Sequence, residues 1–214
     1  MKRVLILANG EAPSRELFNF HYRHCKFFVC ADGGANTAAN FNTKPDVIIG
    51  DLDSTRYATF RKFSTSQIFR IPEQNSTDLE KALHFCIQLG FADITVLGAT
   101  GGRLDHALVN LSAIAKFSDR ASIFAYDNQG KFQVVKKKCI IQLPIGTTLS
   151  LLPLTKCSGI TTTGLKWNLR NESLQLGIRE SLSNVTTKKN IIVQVKSGIL
   201  VMMINYRAAK RLKH

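Results

Sequence analysis

Ile94-Thr95-Val96-Leu97-Gly98-Ala99-Thr100-Gly101-Gly102-Arg103-Leu104-Asp105-His106 opens the stretch on which the fold of this chain turns. Apolar and β-branched residues come first, then a glycine-rich turn, then a helical pattern that runs on to Phe117. Leu104, Leu108, Leu111, Ile114 and Ala115 recur at spacings of three and four, which puts them on one face of an α-helix. The segment reads as strand, turn and helix, and the same alternation extends outward from it. Strands are expected at Val4–Ala8, Phe27–Ala31, Val47–Gly50, Ile68–Ile71, Ile94–Leu97 and Ser122–Ala125. Helical patterns lie between them at Arg15–Arg23, Ala35–Phe41, Tyr57–Phe63, Thr77–Leu89 and Leu104–Phe117. Strands alternating with helices imply βαβ units and a mostly parallel sheet.

After Asn128-Gln129-Gly130 the pattern changes. Phe132–Val135, Ile140–Leu143, Thr148–Leu152, Leu174–Leu176, Ile191–Val195 and Leu200–Ile204 read as short strands separated by Gly, Pro, Asn and Lys, with one short helix expected in the basic tail, Arg207–Lys213. Such spacing predicts a small antiparallel β-sandwich. The expected organisation is an α/β domain over residues 1–130 followed by a β-sandwich domain over residues 131–214.

At 214 residues the chain can bury a core without disulfides or a structural metal. No window approaches the roughly 20 apolar residues that span a bilayer, and the apolar run after Met1-Lys2-Arg3 is too short for a signal core and reads as a first buried strand. Five scattered cysteines without a C-x-x-C pair fit reduced thiols in a cytoplasmic protein. The net charge is +14, and it is unevenly placed: 14 basic against 12 acidic residues before Tyr126, then 15 against 3 from Tyr126 onward. A basic surface of this kind attracts anionic substrates or nucleic acid, or simply keeps a face solvated.

Polar, glycine-rich clusters follow several of the expected strands, and in an open parallel sheet ligands bind beyond the carboxyl ends of the strands. In Gly50-Asp51-Leu52-Asp53-Ser54, an extended backbone would send Asp51 and Asp53 to the same side, a pair of hard oxygen donors suited to Mg²⁺; an ordinary polar turn explains the same residues. Asp32 precedes Gly33-Gly34, a pair that either lets backbone N–H groups approach a phosphate or makes a tight strand-to-helix turn. Thr77-Asp78-Leu79-Glu80 is a capping box, with Thr77 as N-cap and Glu80 reaching back, which leaves Asp78 free as a further carboxylate. Gly98–Gly102 before a helix can cradle an anion, and Arg103 adds a guanidinium fork, but the G-x-x-x-x-G-K-[ST] phosphate loop is absent. In the second half Gly164-Leu165-Lys166-Trp167 holds the single tryptophan, either a core residue or a face for a cationic ring, and Ser181-Leu182-Ser183-Asn184 adds small polar groups.

Taken in order, Ala31–Asn36, Pro45–Ser54, Thr77-Asp78, Gly101–His106, Gly164–Trp167 and Ser181–Asn184 resemble the thiamin pyrophosphokinase family. The resemblance implies transfer of the diphosphate group of ATP to the hydroxyl of thiamin, giving thiamin diphosphate and AMP. It implies Mg²⁺ held by Asp32, Asp51, Asp53 and Asp78, and nucleotide contacts from Gly33, Gly34, Asn36, Thr77, Gly101, Gly102 and Arg103. Arg103, Asp105 and Asp51 take the catalytic roles, with Asp105 or Asp51 as proton acceptor. Trp167, Ser183 and Asn184 would meet thiamin across a homodimer interface. Asn75 stands where many members of the family carry an acid. The same residues admit rival readings: a nicotinamide enzyme, disfavoured because Gly98–Gly102 does not open the first βαβ unit, and a nucleic-acid-binding protein, disfavoured because aromatics do not interleave with the basic residues. A pyrophosphokinase with another acceptor, such as a pterin, is the third. Nucleic acid and membrane are not expected partners.

Overall fold

The computed structural model of the chain describes residues 3–206. The expected tail helix, Arg207–Lys213, lies outside them. The chain divides into two units, one ending at Asn128 and the other beginning at Gln129.

In the first unit β1 (Arg3–Leu7), α1 (Arg15–Arg23), β2 (Phe27–Ala31), α2 (Gly34–Asn40), β3 (Val47–Gly50), α3 (Tyr57–Lys62), β4 (Gln67–Arg70), α4 (Asp78–Gln88), β5 (Asp93–Leu97), α5 (Leu104–Phe117) and β6 (Ser122–Tyr126) alternate. The strands lie in the order β6-β5-β1-β2-β3-β4 and every adjacent pair is parallel. Strands buried on both faces read as continuous apolar runs, and Val4 to Leu7 and Val47 to Ile49 are almost wholly shielded from solvent. The edge strand β4 is exposed along its whole length. Local signals fix several helix starts. The Ser14 side chain accepts from Leu17 N at the head of α1, and Thr77 accepts from Glu80 N at the head of α4. The reciprocal arm expected of Glu80 goes elsewhere, since its carboxylate meets Lys116 Nζ at 3.2 Å and ties α4 to α5.

One packing expectation fails. Leu111, Ile114 and Ala115 of α5 are buried, but Leu104 and Leu108 are 74% and 55% exposed. The apolar stripe is therefore continuous in sequence and only half covered within the unit.

The second unit is all-β: β7 (Gly130–Val135), β8 (Lys138–Gln142), β9 (Thr148–Pro153), β10 (Cys157–Thr163), β11 (Arg170–Leu174), β12 (Ser181–Val185), β13 (Asn190–Gln194) and β14 (Leu200–Asn205). The strands pair antiparallel as β12-β9-β14-β7 and as β11-β10-β13-β8. A single cluster draws Leu149, Leu151 and Met202 from the first set and Ile160, Ile191 and Val193 from the second, which makes the unit a sandwich. The strands β10 and β12 were not expected. Both carry register shifts, and Gly159 (φ +63) and Ser183 (φ +54) turn the backbone out of the extended region, so neither strand shows clean alternation. The segment expected as a strand at Leu174–Leu176 is the end of β11 and the turn after it.

Candidate active site

The order of strands reverses between β1 and β5, and the crevice there is filled by backbone. Gly10 N donates to Gly98 O and Glu11 N to Thr100 O, both at 2.8 Å, so the loops after β1 and β5 are stitched together. A Cβ on Gly10 would lie 2.4 Å from both carbonyl oxygens. The Asn110 amide pins the same loop through Ala99 O at 2.9 Å.

Carboxylates gather one strand further along, beyond β2 and β3. Asp32, Asp51 and Asp78 each offer an oxygen, and these oxygens all lie within 4.8 Å of one another. Asp32 is 2% exposed at φ +40; its Oδ1 accepts from Thr55 Oγ1 at 2.8 Å and its Oδ2 from Ser54 N at 3.1 Å. Asp51 is held at Oδ2 by Gln74 Nε2 and at Oδ1 by Asp53 N, and these bonds lower its pKa. Asp78 Oδ1 accepts from Asp51 N and from Lys81 Nζ, both at 3.2 Å, while burial raises its pKa. Lys81 is itself 6% exposed, a buried ammonium beside converging acids. Three carboxylates offer hard oxygen donors, which suit Mg²⁺ better than a softer ion.

Gly50 makes that convergence possible. A Cβ there would stand 2.8 Å from Asp78 Oδ1 and 2.9 Å from Asp32 Cβ. Only the missing side chain lets the two acids close over the end of β3.

Asp53 is not part of the group. The expected same-side pairing of Asp51 and Asp53 needs an extended backbone, but Leu52 sits at φ +70 and the chain turns. Asp53 Oδ1 accepts from Ser54 Oγ instead, at 2.9 Å. Asn36 is similarly occupied: its Nδ2 donates to Ser54 O, and its Oδ1 accepts from Arg56 N and Thr59 Oγ1, so it clamps the loop after β3. Gly33 and Gly34 make close approaches to Asn9 and to Leu7 O, a packing role for both.

At the head of α5, Gly102 has φ +66 and nothing within 4 Å of where a Cβ would stand, leaving room for an anion. Gly101 instead packs on Glu11. Arg103 and Asp105 engage each other at 3.1 Å (Nε–Oδ1) and 2.5 Å (Nη2–Oδ2), both well exposed. The guanidinium pulls the Asp105 carboxyl down to about 2. A group that acidic is a weak general base at neutral pH.

Sequence reasoning missed Gln74, Thr55 and Lys81. The spacing of Asp78 and Lys81, one helical turn apart, was the available signal for the last. A cleft of about 440 Å³ beside Lys81 is lined by Ile49, Phe69, Ile71 and Phe85 among others.

In the second unit Trp167 is 57% exposed and Asn184 only 3%. Trp167 N donates to Asn184 Oδ1 at 3.2 Å and Asn184 Nδ2 returns to Trp167 O at 2.6 Å. Asn184 thus spends its amide holding the tryptophan backbone. Ser183 N donates to Ser150 Oγ at 2.9 Å.

A family model described as the thiamin pyrophosphokinase catalytic domain matches residues 18–125, and one described as the thiamin pyrophosphokinase vitamin B1 binding domain matches residues 137–200. Thiamine pyrophosphokinase 1 of Arabidopsis thaliana is 30% identical over 209 residues, covering 84% of this chain and 78% of the relative. Thiamin pyrophosphokinase 1 of Caenorhabditis elegans is 27% identical over 214 residues, covering 92% and 87%. Among solved structures, thiamin pyrophosphokinase from Candida albicans superposes with a TM-score of 0.85 at 24% identity over 95% of this chain and 88% of that one. The Bacillus subtilis enzyme gives a TM-score of 0.83 at 25% identity, over 95% and 99%.

Proposed function

Because the chain belongs to the thiamin pyrophosphokinase family, we propose that it moves the diphosphate group of ATP onto the hydroxyl of thiamin with the help of Mg²⁺. The thiamin oxygen bonds to the β-phosphorus of ATP as the bond from that phosphorus to the α–β bridging oxygen breaks. AMP leaves, and the hydroxyl proton passes to water or to the leaving phosphate.

The observation that carries this reading is the convergence of Asp32, Asp51 and Asp78 within 4.8 Å. These residues would hold Mg²⁺, which supplies neutralisation of phosphate charge when bound. The remaining work is positional. Phosphoryl-group transfer of this kind depends mainly on alignment and charge compensation. Gln74 and Lys81 fix the carboxylates in place, and Thr55 with Ser54 locks Asp32. The open amide side of Gly102 and the Arg103 guanidinium border the phosphate path, with Arg103 exchanging Asp105 for phosphate oxygens. The low pKa of Asp105 argues for orientation of the hydroxyl over proton abstraction. Trp167 offers its indole face to thiamin. The half-covered stripe of Leu104 and Leu108 on α5 supports a homodimer.

Incubating the protein with ATP, thiamin and Mg²⁺ and separating nucleotides by chromatography tests the reading. One AMP should appear per thiamin consumed, and chelation of Mg²⁺ or the substitution Asp51→Asn should stop it. ADP in place of AMP would mean transfer of a single phosphoryl group and would overturn the assignment.

A further inference from the structure

The proposed reaction uses Trp167 and gives no role to Lys166, the residue beside it. The turn that carries them is firmly built. Asn168 closes it, accepting from Leu165 N at 3.2 Å and donating to Leu165 O at 2.9 Å. Leu165 and Leu169 are buried on either side, at 2% and 6% exposure, and Lys166 N donates to Val185 O at 2.8 Å. With Asn184 gripping both its amide and its carbonyl, the Trp167 backbone is fixed while its ring stands in solvent. One thing already lies over that ring. Lys166 Nζ sits 4.7 Å from the ring centroid, within the range of a cation–π contact.

We infer that Lys166 is an internal competitor for the cationic ring of thiamin at Trp167, and therefore sets how tightly and how selectively that ring is held. This rests on the reading of Trp167 as the thiamin platform. An incoming thiazolium must move the ammonium off the indole and then bear its repulsion at close range, because both charges seek the same negative face. A neutral ring of the same shape must also displace the ammonium, but it meets no such repulsion afterwards. Lys166 thus lowers affinity for the cation more than for a neutral ring. For an exposed cation–π contact the effect corresponds to roughly two- to fivefold in Kd.

Trp167 is the only tryptophan in the chain, so its emission reports this turn directly. The full-length protein, Lys166→Met and Lys166→Arg are titrated with thiamin, with 3,4-dimethylthiazolium chloride and with neutral 4-methylthiazole. Lys166→Met keeps the apolar stem and removes the charge, and Lys166 is exposed, so folding is not at stake. The Kd for thiamin and for the thiazolium should fall two- to fivefold in Lys166→Met, with a smaller fall for the neutral thiazole and Lys166→Arg no tighter than wild type. Equal tightening for cationic and neutral rings, or no change for any ligand that quenches the indole, overturns the inference and leaves the platform standing. If none of the ligands alters the emission of any protein while AMP is still formed, the platform assignment falls and the inference with it.

Discussion

Replacing Gly50 by alanine probes the convergence of acids without touching an acid. The new Cβ would be 2.8 Å from Asp78 Oδ1 and 2.9 Å from Asp32 Cβ, both closer than ordinary van der Waals contact. The first clash is relieved cheaply, by swinging the Asp78 carboxylate away, because its side chain is 30% exposed. The second is with an atom bound to the backbone of a 2%-exposed residue, so β2 or β3 must shift. Gly50 also has φ +154, which adds backbone strain. Overpacking of this kind costs about 1–3 kcal/mol, or roughly 2–12 °C in Tm for a chain of this size. Loss of one of three carboxylates from the cluster should weaken divalent metal binding by about tenfold or more, since roughly 1.4 kcal/mol is a factor of ten. Mn²⁺ titration followed by electron paramagnetic resonance, alongside thermal denaturation, measures both. A Gly50→Ala protein with unaltered Mn²⁺ affinity and Tm would refute the claim that this glycine admits the acids.

Other outcomes follow from particular side chains. His21 is buried and its pKa falls to about 4, chiefly through desolvation and then the charges of Arg3 and His24, against 6.5 for the free side chain. The unfolded chain therefore binds a proton near pH 6.5 that the folded chain takes up only near 4. The contribution of His21 is intact above pH 6.5 and is lost as pH falls toward 4, by about 3 kcal/mol in all; in His21→Leu, urea midpoints should vary less across that window. Arg103→Gln should let the Asp105 carboxyl, now held at about 2, titrate near the ordinary value of roughly 4, as followed by carboxyl carbon NMR. Unchanged titration would mean that Arg103 is not the cause. Trp167→Ala should raise the thiamin KM by roughly tenfold or more while the ATP KM stays within about twofold, a stacking loss on one substrate; equal changes in both would count against the platform.

Much of the first unit was legible because buried parallel strands and amphipathic helices write themselves as runs and periods. The bounds expected for α1 and α5 coincide with those observed, and β2 and β3 do as well. What escaped were features set by single backbone angles or distant partners. Leu52 at φ +70 turns the chain so that Asp53 stays outside the group formed by Asp32, Asp51 and Asp78, and nothing in a D-x-D pattern announces a positive φ at a leucine. Glu80 fits a capping box locally, but Lys116 lies 36 residues away and claims the carboxylate. Asn36 and Asn184, which the resemblance implies as ligand groups, also hold loops, because an amide can satisfy a donor and an acceptor at once. The strand β12 was hidden by its bulge at Ser183.

Loops bordering a site are commonly the soft part of a fold. Here the hydrogen bonds from Gly10 and Glu11 carry the rungs of the sheet past the ends of β1 and β5, so the two loops are tied to each other as the strands beneath them are. Downstream of the last rung, Gly102 has open space beside it and the Arg103 side chain is exposed. In the proposed reaction a polyphosphate would therefore meet a hydrogen-bonded loop on one side and an exposed guanidinium on the other.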